Sequence, residues 1–280
     1  MQARQPVIDQ ATAAALMTAL SDVVAEAGKA VLAIDRHSAK LEDKADGSPL
    51  TQADLAADNI IVAGLARLAP QIPVISEERV SAPRQVASGD ISSFFLVDPI
   101  DGTKEFIAGH DDYTINVALV TGGRPVLGIV SAPALGLLWR GLVGAGAERV
   151  TLGPDGRIDA ATTAPIHTRP CPQGAWIAAV SRSHLDSRTE AFINRRPGAT
   201  RKQIGSALKF CRVAEGAADI YPRLSPTSEW DIAAGHAVLE AAGGKITDGR
   251  GRPLRFVGDP DSVIIPEFVA WGDPAIAEAS

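Results

Sequence analysis

The most informative stretch of this chain is an apolar run that ends in two aspartates around a proline. Phe94-Phe95-Leu96-Val97 is continuous in the way that a buried strand is, and Asp98-Pro99-Ile100-Asp101 follows it directly. Proline restricts one φ angle and lacks an N–H, so this spacing predicts a sharp turn after the strand. The turn would direct both carboxylates into one pocket and leave the Ile100 carbonyl available as a further ligand.

Other acids stand at the predicted boundaries of other elements. Glu77 follows the apolar pair Val74-Ile75, and Asp231 opens a predicted helix. Asp54 lies in the first turn of a helix for which Thr51 is the candidate cap. Magnesium prefers hard oxygen ligands and keeps waters and phosphate oxygens, so a few carboxylates from separate elements can hold it. Two such ions can bind a phosphate, activate a water and stabilise the leaving oxygen.

Gly102 and Thr103 come next, at the predicted start of a helix, where free N–H groups and the helix dipole favour a bound phosphate. The Thr103 hydroxyl is placed to orient a water. Each feature has a simpler interpretation when taken alone. The aspartates around the proline would be turn formers, the acids at helix starts would be caps, and Glu77-Glu78 would be a solvated pair. Their joint occurrence favours a metal-dependent phosphate site.

The first half of the chain predicts a mixture of helices and antiparallel strands. A long amphipathic helix is expected from about Ile8 to Ile34, and a surface loop from Arg79 to Ser93. Segments 113–120 and 125–131 predict a hairpin that 137–139 would extend. The stretch from Gly153 to Pro172 has little periodicity, so we place a domain boundary near residue 170.

The second half, residues 171–280, alternates between strands and helices and predicts an α/β domain that supplies Asp231 and the specificity residues. Residues 1–170 would form an α+β domain with an antiparallel sheet and most of the metal ligands. The strands expected in the second half are Trp176–Val180 and Asp219–Tyr221, and the helices are Asp186–Asn194, Ala207–Glu215 and Asp231–Ala242.

Composition excludes some classes of function. A formal net charge of −6 argues against binding of a nucleic-acid polymer, which needs a basic surface, but is compatible with a metal-loaded acidic site. Cys171 and Cys211 form no CxxC and are interpreted as reduced thiols, with a single bridge left open. No apolar run is long enough for a transmembrane segment. We therefore expect a cytoplasmic protein, with peripheral association with the inner membrane left open.

Three motifs in order resemble the signature set of the inositol monophosphatase superfamily: SEE at 76–78, DPIDGTKEF at 98–106 and WDIAAGHAVLEAAGG at 230–244. The similarity covers almost the whole chain from SPLTQAD at 48–54 onwards. The continuation Glu105-Phe106-Ile107 is similar to the branch of 3′(2′),5′-bisphosphate nucleotidases of the bacterial CysQ type. SRSH at 181–184, IGSALKFCRVAEG at 204–216 and the run at 221–223 agree with that branch.

The resemblance implies a layered αβαβα sandwich, of the type shared with fructose-1,6-bisphosphatase, and two to three Mg²⁺ ions. Glu77, Asp98 and the Ile100 carbonyl would bind one ion, and Asp98, Asp101 and Asp231 a second. A third, weaker ion is expected beside Glu77, and Li⁺ is expected to inhibit.

The implied reaction is in-line attack of a metal-activated water, with no covalent enzyme intermediate. Thr103, paired with Asp54, would orient the water and help to deprotonate it, and the Gly102 and Thr103 backbone would hold the phosphate.

In that branch the substrate is 3′-phosphoadenosine 5′-phosphate, which is cleaved to AMP and phosphate in sulfur metabolism. Candidate residues for the remaining phosphate and the nucleoside are Ser181, Arg182, Ser183, His184, Ser206, Lys209 and Arg223. For Lys209 and Arg223 the alternative is a solvated charge on the protein surface, and His184 could be a structural histidine. Ala207 departs from the serine expected in that branch.

Two alternatives remain open at this point. The same chemistry could act on inositol monophosphate or another sugar phosphate. A non-catalytic nucleotide-binding protein is the remote alternative, which the retention of all four candidate acids disfavours. We expect a small phosphorylated nucleotide as the partner and either a monomer or a homodimer.

Overall fold

The computed structural model describes residues 9–44, 49–79, 93–182, 185–196, 198–259 and 263–277. The helices within these ranges are α1 Gln10–Leu32, α2 Gln52–Leu68, α3 Thr103–Ile107, α4 Ser187–Asn194, α5 Leu208–Ala214, α6 Glu229–Ala241 and α7 Pro274–Ala277. The strands are β1 Lys40–Asp43, β2 Pro49–Thr51, β3 Val74–Ser76, β4 Ser93–Asp101, β5 Thr114–Thr121, β6 Arg124–Ala132, β7 Leu137–Leu142, β8 Gly146–Leu152, β9 Ile158–Ile166, β10 Ile177–Ser181, β11 Thr200–Ile204, β12 Ile220–Arg223, β13 Thr227–Ser228, β14 Lys245–Thr247, β15 Ile264–Ile265 and β16 Phe268–Trp271.

The larger sheet has the strand order β3-β4-β5-β6-β7-β8-β9, and its neighbours are antiparallel except for β3 and β4. Its second strand β4, between β3 and β5, is apolar on both faces. Phe94 and Leu96 belong to one hydrophobic core, whereas Phe95 and Val97 belong to another. Burial on both faces explains why the sequence shows a continuous apolar run there rather than alternation.

The second sheet has the order β11-β10-β12-β16-β14, with β10 parallel to β11 and β12 and antiparallel pairing at β16. Helices α1 and α2 cover the outer face of the larger sheet, and α5 and α6 lie between the two sheets. Helices α4 and α7 cover the outer face of the second sheet. The predicted αβαβα layering is confirmed.

Helix α6 lies unusually close to the larger sheet because glycines face it. A Cβ at Gly128 would lie 2.1 Å from the Ala234 carbonyl oxygen, and one at Gly141 would lie 2.8 Å from the Val238 Cα. The absence of side chains on the sheet therefore lets the helix backbone pack directly on it. This contact places the first turn of α6, which carries Asp231, beside the end of β4.

Most predicted elements are confirmed, including α1, α2, the β5–β6 hairpin, β7 and the five elements named between 176 and 242. No element was predicted within 153–172, and the structure places β9 there. That strand is an edge strand with mostly exposed alanine, threonine and aspartate side chains, so it carries no hydrophobic pattern. The predicted loop from Arg79 to Ser93 lies mostly outside the described residues, and Ser93 itself is buried in β4.

The larger sheet ends at Ile166 and the second begins at Ile177. One hydrophobic core nevertheless includes residues of both sheets, so the division into domains near residue 170 stays a prediction. Cys171 and Cys211 are both free thiols, and Cys211 is buried. Within the described ranges, none of the helices combines the length and the apolarity that crossing a membrane requires.

Candidate active site

A cavity of about 530 Å³ lies between the two sheets and receives side chains from both. Most of the predicted site residues line it: Glu77, Asp98, Ile100, Asp101, Gly102, Thr103, Ser181, Ser206, Lys209, Arg223 and Asp231. Asp54 is buried behind Thr103, and Arg182 is not among the lining residues. Ser183 and His184 lie outside the described residues.

The two aspartates around Pro99 reach the cavity through a bulge rather than through a turn. Strand β4 continues past the proline to Asp101, so the expectation that the chain turns after Val97 is wrong. Asp98 pairs with Asn116 and Asp101 with Thr114, which leaves one extra residue on β4 between the two pairs. A bulge accommodates a proline that cannot donate to the ladder, and it re-aims the side chains beside it.

Asp54 and Thr103 are paired as predicted. Asp54 forms a capping box with Thr51 at the start of α2, in which Asp54 Oδ2 accepts a hydrogen bond from the Thr51 backbone N–H. This contact orients the second carboxylate oxygen of Asp54. Thr103 Oγ1 lies 3.2 Å from this oxygen, Asp54 Oδ1, and 3.1 Å from the Ile100 carbonyl oxygen. Burial raises the pKa of Asp54, against the effect of its hydrogen bonds from Thr51. The pair is suited to hold a water at the cavity wall.

Asp231 is both a helix cap and a cavity residue. It is the third residue of α6 and forms a capping box with Ser228, whose backbone N–H donates to Asp231 Oδ2 at 3.1 Å. The Thr227 hydroxyl donates to the same oxygen. The simpler interpretation of Asp231 as a helix cap is therefore confirmed, and the cap leaves the residue in the cavity wall.

Lys44 is a cavity residue that the sequence did not reveal. Its Nζ lies 2.6 Å from Glu77 Oε1 and 2.7 Å from Glu78 Oε1. Burial lowers the pKa of Lys44, but Glu77 and Glu78 outweigh that effect and raise it above its ordinary value. A single lysine in a polar stretch carries no signal that could have indicated this contact.

Residues from the second half add cationic groups. Lys209 is buried, and its Nζ donates to the Ser206 carbonyl at 2.6 Å and lies 5.0 Å from the centre of the Tyr221 ring. Burial lowers the pKa of Lys209 to about 8. Arg223 also faces the cavity, and its Nη2 donates to the Pro226 carbonyl at 3.1 Å. Ala207, the departure noted above, is buried in the core and is not among the lining residues.

Residues 4–278 match the pattern described as the inositol monophosphatase family. The chain belongs to this family. The 3′(2′),5′-bisphosphate nucleotidase CysQ of Escherichia coli (strain K12) is 39% identical over 225 residues, which are 80% of this chain and 86% of that protein. The protein of the same name from Salmonella typhimurium (strain LT2) is 38% identical over 244 residues, 86% of this chain and 94% of that protein.

A solved structure agrees with these relatives. The crystal structure of CysQ from Bacteroides thetaiotaomicron, a bacterial member of the inositol monophosphatase family, has a TM-score of 0.75 and 33% identity. The similarity covers 92% of this chain and 97% of that one. The resemblance to the family and its fold, noted in the sequence, is confirmed.

The acids of this family member are close enough to disfavour each other's ionisation. Burial, followed by the charges of Glu77, Asp101 and Asp231, raises the pKa of Asp98 well above its ordinary value. Burial and nearby acids raise the pKa values of Glu77 and Asp101 to about 7. Asp98 Oδ1 is buried and has no hydrogen-bond partner among the described residues. A divalent cation would relieve both the repulsion and the unpartnered oxygen.

The described residues contain no group of three or more His, Cys, Asp or Glu side chains that is already arranged to hold a metal ion. Two hydrogen bonds explain why the acids of the cluster are not already arranged around an ion. The Lys44 ammonium holds Glu77, and the Thr227 hydroxyl holds Asp231. The donor set therefore fits magnesium in its chemistry, and binding would exchange these two contacts for the ion.

In the metal-free protein we expect stability to fall as the pH rises from about 4 to about 7. The folded chain keeps protons on Glu77 and Asp101 up to about pH 7, whereas the unfolded chain releases them near 4.5 and 3.8. Proton binding therefore favours the folded state at low pH, and this contribution is lost as the pH rises through that window.

Thermal melts in EDTA between about pH 5 and about pH 8 would measure this loss. Added magnesium chloride should raise Tm most at the higher pH, because the ion binds deprotonated carboxylates. A magnesium-induced rise of equal size at both ends of the range would contradict the prediction.

Proposed function

We propose that this member of the inositol monophosphatase family is a magnesium-dependent 3′(2′),5′-bisphosphate nucleotidase that hydrolyses 3′-phosphoadenosine 5′-phosphate to AMP and phosphate. The observation that carries the proposal is the single cavity in which an acidic cluster faces Lys209 and Arg223. An acidic cluster suits the phosphate that is cleaved, and buried cations suit a second phosphate that is kept. The relatives named CysQ, similar over most of the chain, support the same activity.

The proposed metal ligands are Glu77, Asp98, Asp101, Asp231 and the Ile100 carbonyl, holding two to three Mg²⁺ ions. The ions would supply charge neutralisation at the phosphate and a lowered pKa for a bound water. We propose that Li⁺ inhibits at the same site. The support is the all-oxygen donor set and the carboxylate pKa values, which burial and neighbouring acids raise.

The remaining roles fall to residues around the bulge. Thr103 would orient the attacking water, with Asp54 accepting its proton through the hydroxyl contact of 3.2 Å. Gly102 has a φ of 91°, a left-handed conformation that favours glycine, so its backbone can approach the phosphate without a Cβ in the way. The attack would be in line, and Asp98, Asp101 and Asp231 would hold the ion that supplies positive charge to the leaving ribose oxygen.

We propose that the second phosphate and the nucleoside lie on the side of Ser181, Ser206, Lys209 and Arg223. The buried Lys209 supports this, since an anionic ligand would stabilise its charged form at neutral pH. Roles for Arg182 and for His184, which lies outside the described residues, stay predictions.

A kinetic comparison tests the substrate. With magnesium present, kcat/KM for 3′-phosphoadenosine 5′-phosphate should exceed that for inositol 1-phosphate by at least about tenfold, as expected if one added ionic contact contributes about 1.4 kcal/mol. Phosphate release from a panel of nucleotide, inositol and sugar phosphates measures this. A preference for the inositol ester would favour the alternative substrate. Undiminished release in EDTA would contradict the metal mechanism, and no release from any ester would favour a binding protein.

The cytoplasmic location and the choice between monomer and homodimer also stay predictions. Gel filtration with light scattering would decide the second of these.

A further inference from the structure

One carboxylate of the first half, Asp112, holds two separate segments of the second half. It lies in the loop between α3 and β5, and its Oδ2 accepts hydrogen bonds from Arg182 Nη2 at 2.8 Å and from the Gly205 backbone N–H at 2.6 Å. The Asp112 side chain is only 15% exposed, so solvent screens the ion pair less than at an open surface. Arg182 follows β10 and Gly205 follows β11, so the contact joins two strand ends to the loop.

The backbone around Asp112 is in close contact with the same segment. Ser206 Oγ lies 2.8 Å from the carbonyl oxygens of both Asp101 and Asp112. A Cβ on Gly102 would lie 2.4 Å from Ser206 Oγ, and one on Gly205 would lie 2.5 Å from the Asp112 carbonyl oxygen. The two halves therefore touch at a distance that only glycine permits on each side.

These contacts are continuous with the walls of the cavity. Ser181, which lines the cavity, directly precedes Arg182. Lys209, which also lines it, donates to the Ser206 carbonyl at 2.6 Å. A shift of the segments that Asp112 holds would therefore move Ser181 and Lys209 relative to the bulge at Asp101.

We infer that Asp112 is a positioning residue that sets the spacing between the acidic cluster and the Lys209 side of the cavity. It thereby determines the preference for a substrate that carries two phosphates. Arg182 acts in this arrangement as the partner of Asp112 rather than as a phosphate ligand. The inference rests on the proposed function, because the spacing matters only if a second phosphate is bound.

The test compares two substrates that differ at one group, 3′-phosphoadenosine 5′-phosphate and 3′-AMP. Asp112→Asn keeps the shape and an acceptor for the Gly205 N–H but loses the charge that pairs with Arg182. We expect the ratio of the two kcat/KM values to fall at least about tenfold, mostly through KM for the bisphosphate, because misplacement of about 1 Å can cost about 100-fold. The kcat for 3′-AMP and the magnesium dependence should change little.

Asp111→Asn is the matched control. Asp111 is the neighbouring residue, its side chain is 60% exposed, and it pairs with Arg36. This variant should keep the wild-type ratio. Arg182→Gln breaks the same ion pair from its other side. If the two residues act as a pair, the double variant with Asp112→Asn should lower the kcat/KM ratio no further than either single variant does.

The outcomes separate the two proposals. A wild-type protein with no preference for the bisphosphate would overturn the proposed function and the inference with it. A wild-type preference that Asp112→Asn leaves intact would overturn the inference alone. A parallel loss with both substrates, accompanied by a lower Tm, would show that the contact is only structural and would also overturn it. An Arg182→Gln loss that adds fully to that of Asp112→Asn would assign Arg182 to the phosphate instead.

Discussion

Replacing Asp98 by asparagine should remove magnesium-dependent phosphate release and, at the same time, raise the melting temperature of the metal-free protein. Asp98 is 1% exposed, and burial together with the charges of Glu77, Asp101 and Asp231 raises its pKa. An amide of the same shape does not ionise, so it removes the cost of burying a carboxylate or of keeping it protonated, which stabilises the folded state. It also removes an anionic oxygen ligand. The loss of activity should exceed about 100-fold, the upper range for residues that merely support a metal ligand.

The measurement pairs phosphate release with thermal melts in EDTA and in magnesium. Asp58→Asn is the matched control, because Asp58 is also a buried carboxylate but has Arg79 Nε at 2.6 Å as its partner. Removing that charge should lower Tm and leave the magnesium requirement unchanged. Full activity in Asp98→Asn would exclude it as a metal ligand, and a lower metal-free Tm would show that its charge is not repelled by the cluster.

The second large effect is expected at Thr103. Thr103→Ala should lower kcat by about 100-fold or more with little change in KM, because the variant loses a group that orients the attacking water rather than a contact with the bound substrate. The hydroxyl contacts Asp54 and the Ile100 carbonyl, and the methyl group serves neither contact. Thr103→Ser should therefore recover most of the activity.

Steady-state kinetics of both variants over a range of pH would check this. The comparison with serine separates loss of the hydroxyl from disturbance of α3, since both replacements remove the methyl group. Equal losses in the alanine and serine variants would show that packing, not the hydroxyl, is what Thr103 contributes. A loss confined to KM would instead assign it to substrate binding.

Two of the proposed site acids also cap the helices on which they stand. Asp54 and Asp231 are each the third residue of a helix and each complete a capping box. A capping box restricts one carboxylate oxygen and leaves the other directed away from the helix. The local interaction that made these residues look ordinary in the sequence is therefore also what orients Asp54 toward Thr103 and Asp231 toward the cavity.

Sequence patterns were sufficient wherever a local interaction decided the structure. The cap at Thr51, the buried strand at 94–97 and the hairpin of β5 and β6 all carry a periodic or positional signal, and the structure has each of them. They were insufficient where a strand is exposed at an edge, as in β9 and β11, because such a strand needs no apolar pattern. The sharp turn predicted at Pro99 failed because pairing with β5 continues on both sides of it.

The sequence by itself identified the acids that line the cavity and, through motifs that resemble the family, the family and the order of the layers, because these depend on residue types and on spacing along the chain. Only the tertiary structure decided which groups face one another across the cavity. The contact of Lys44 with Glu77 joins residues that are 33 positions apart in the sequence, and that of Asp112 with Arg182 joins residues that are 70 positions apart. The first contact joins the segments that follow β1 and β3, and the second joins the two halves of the chain. Both depend on tertiary packing, which no local pattern encodes.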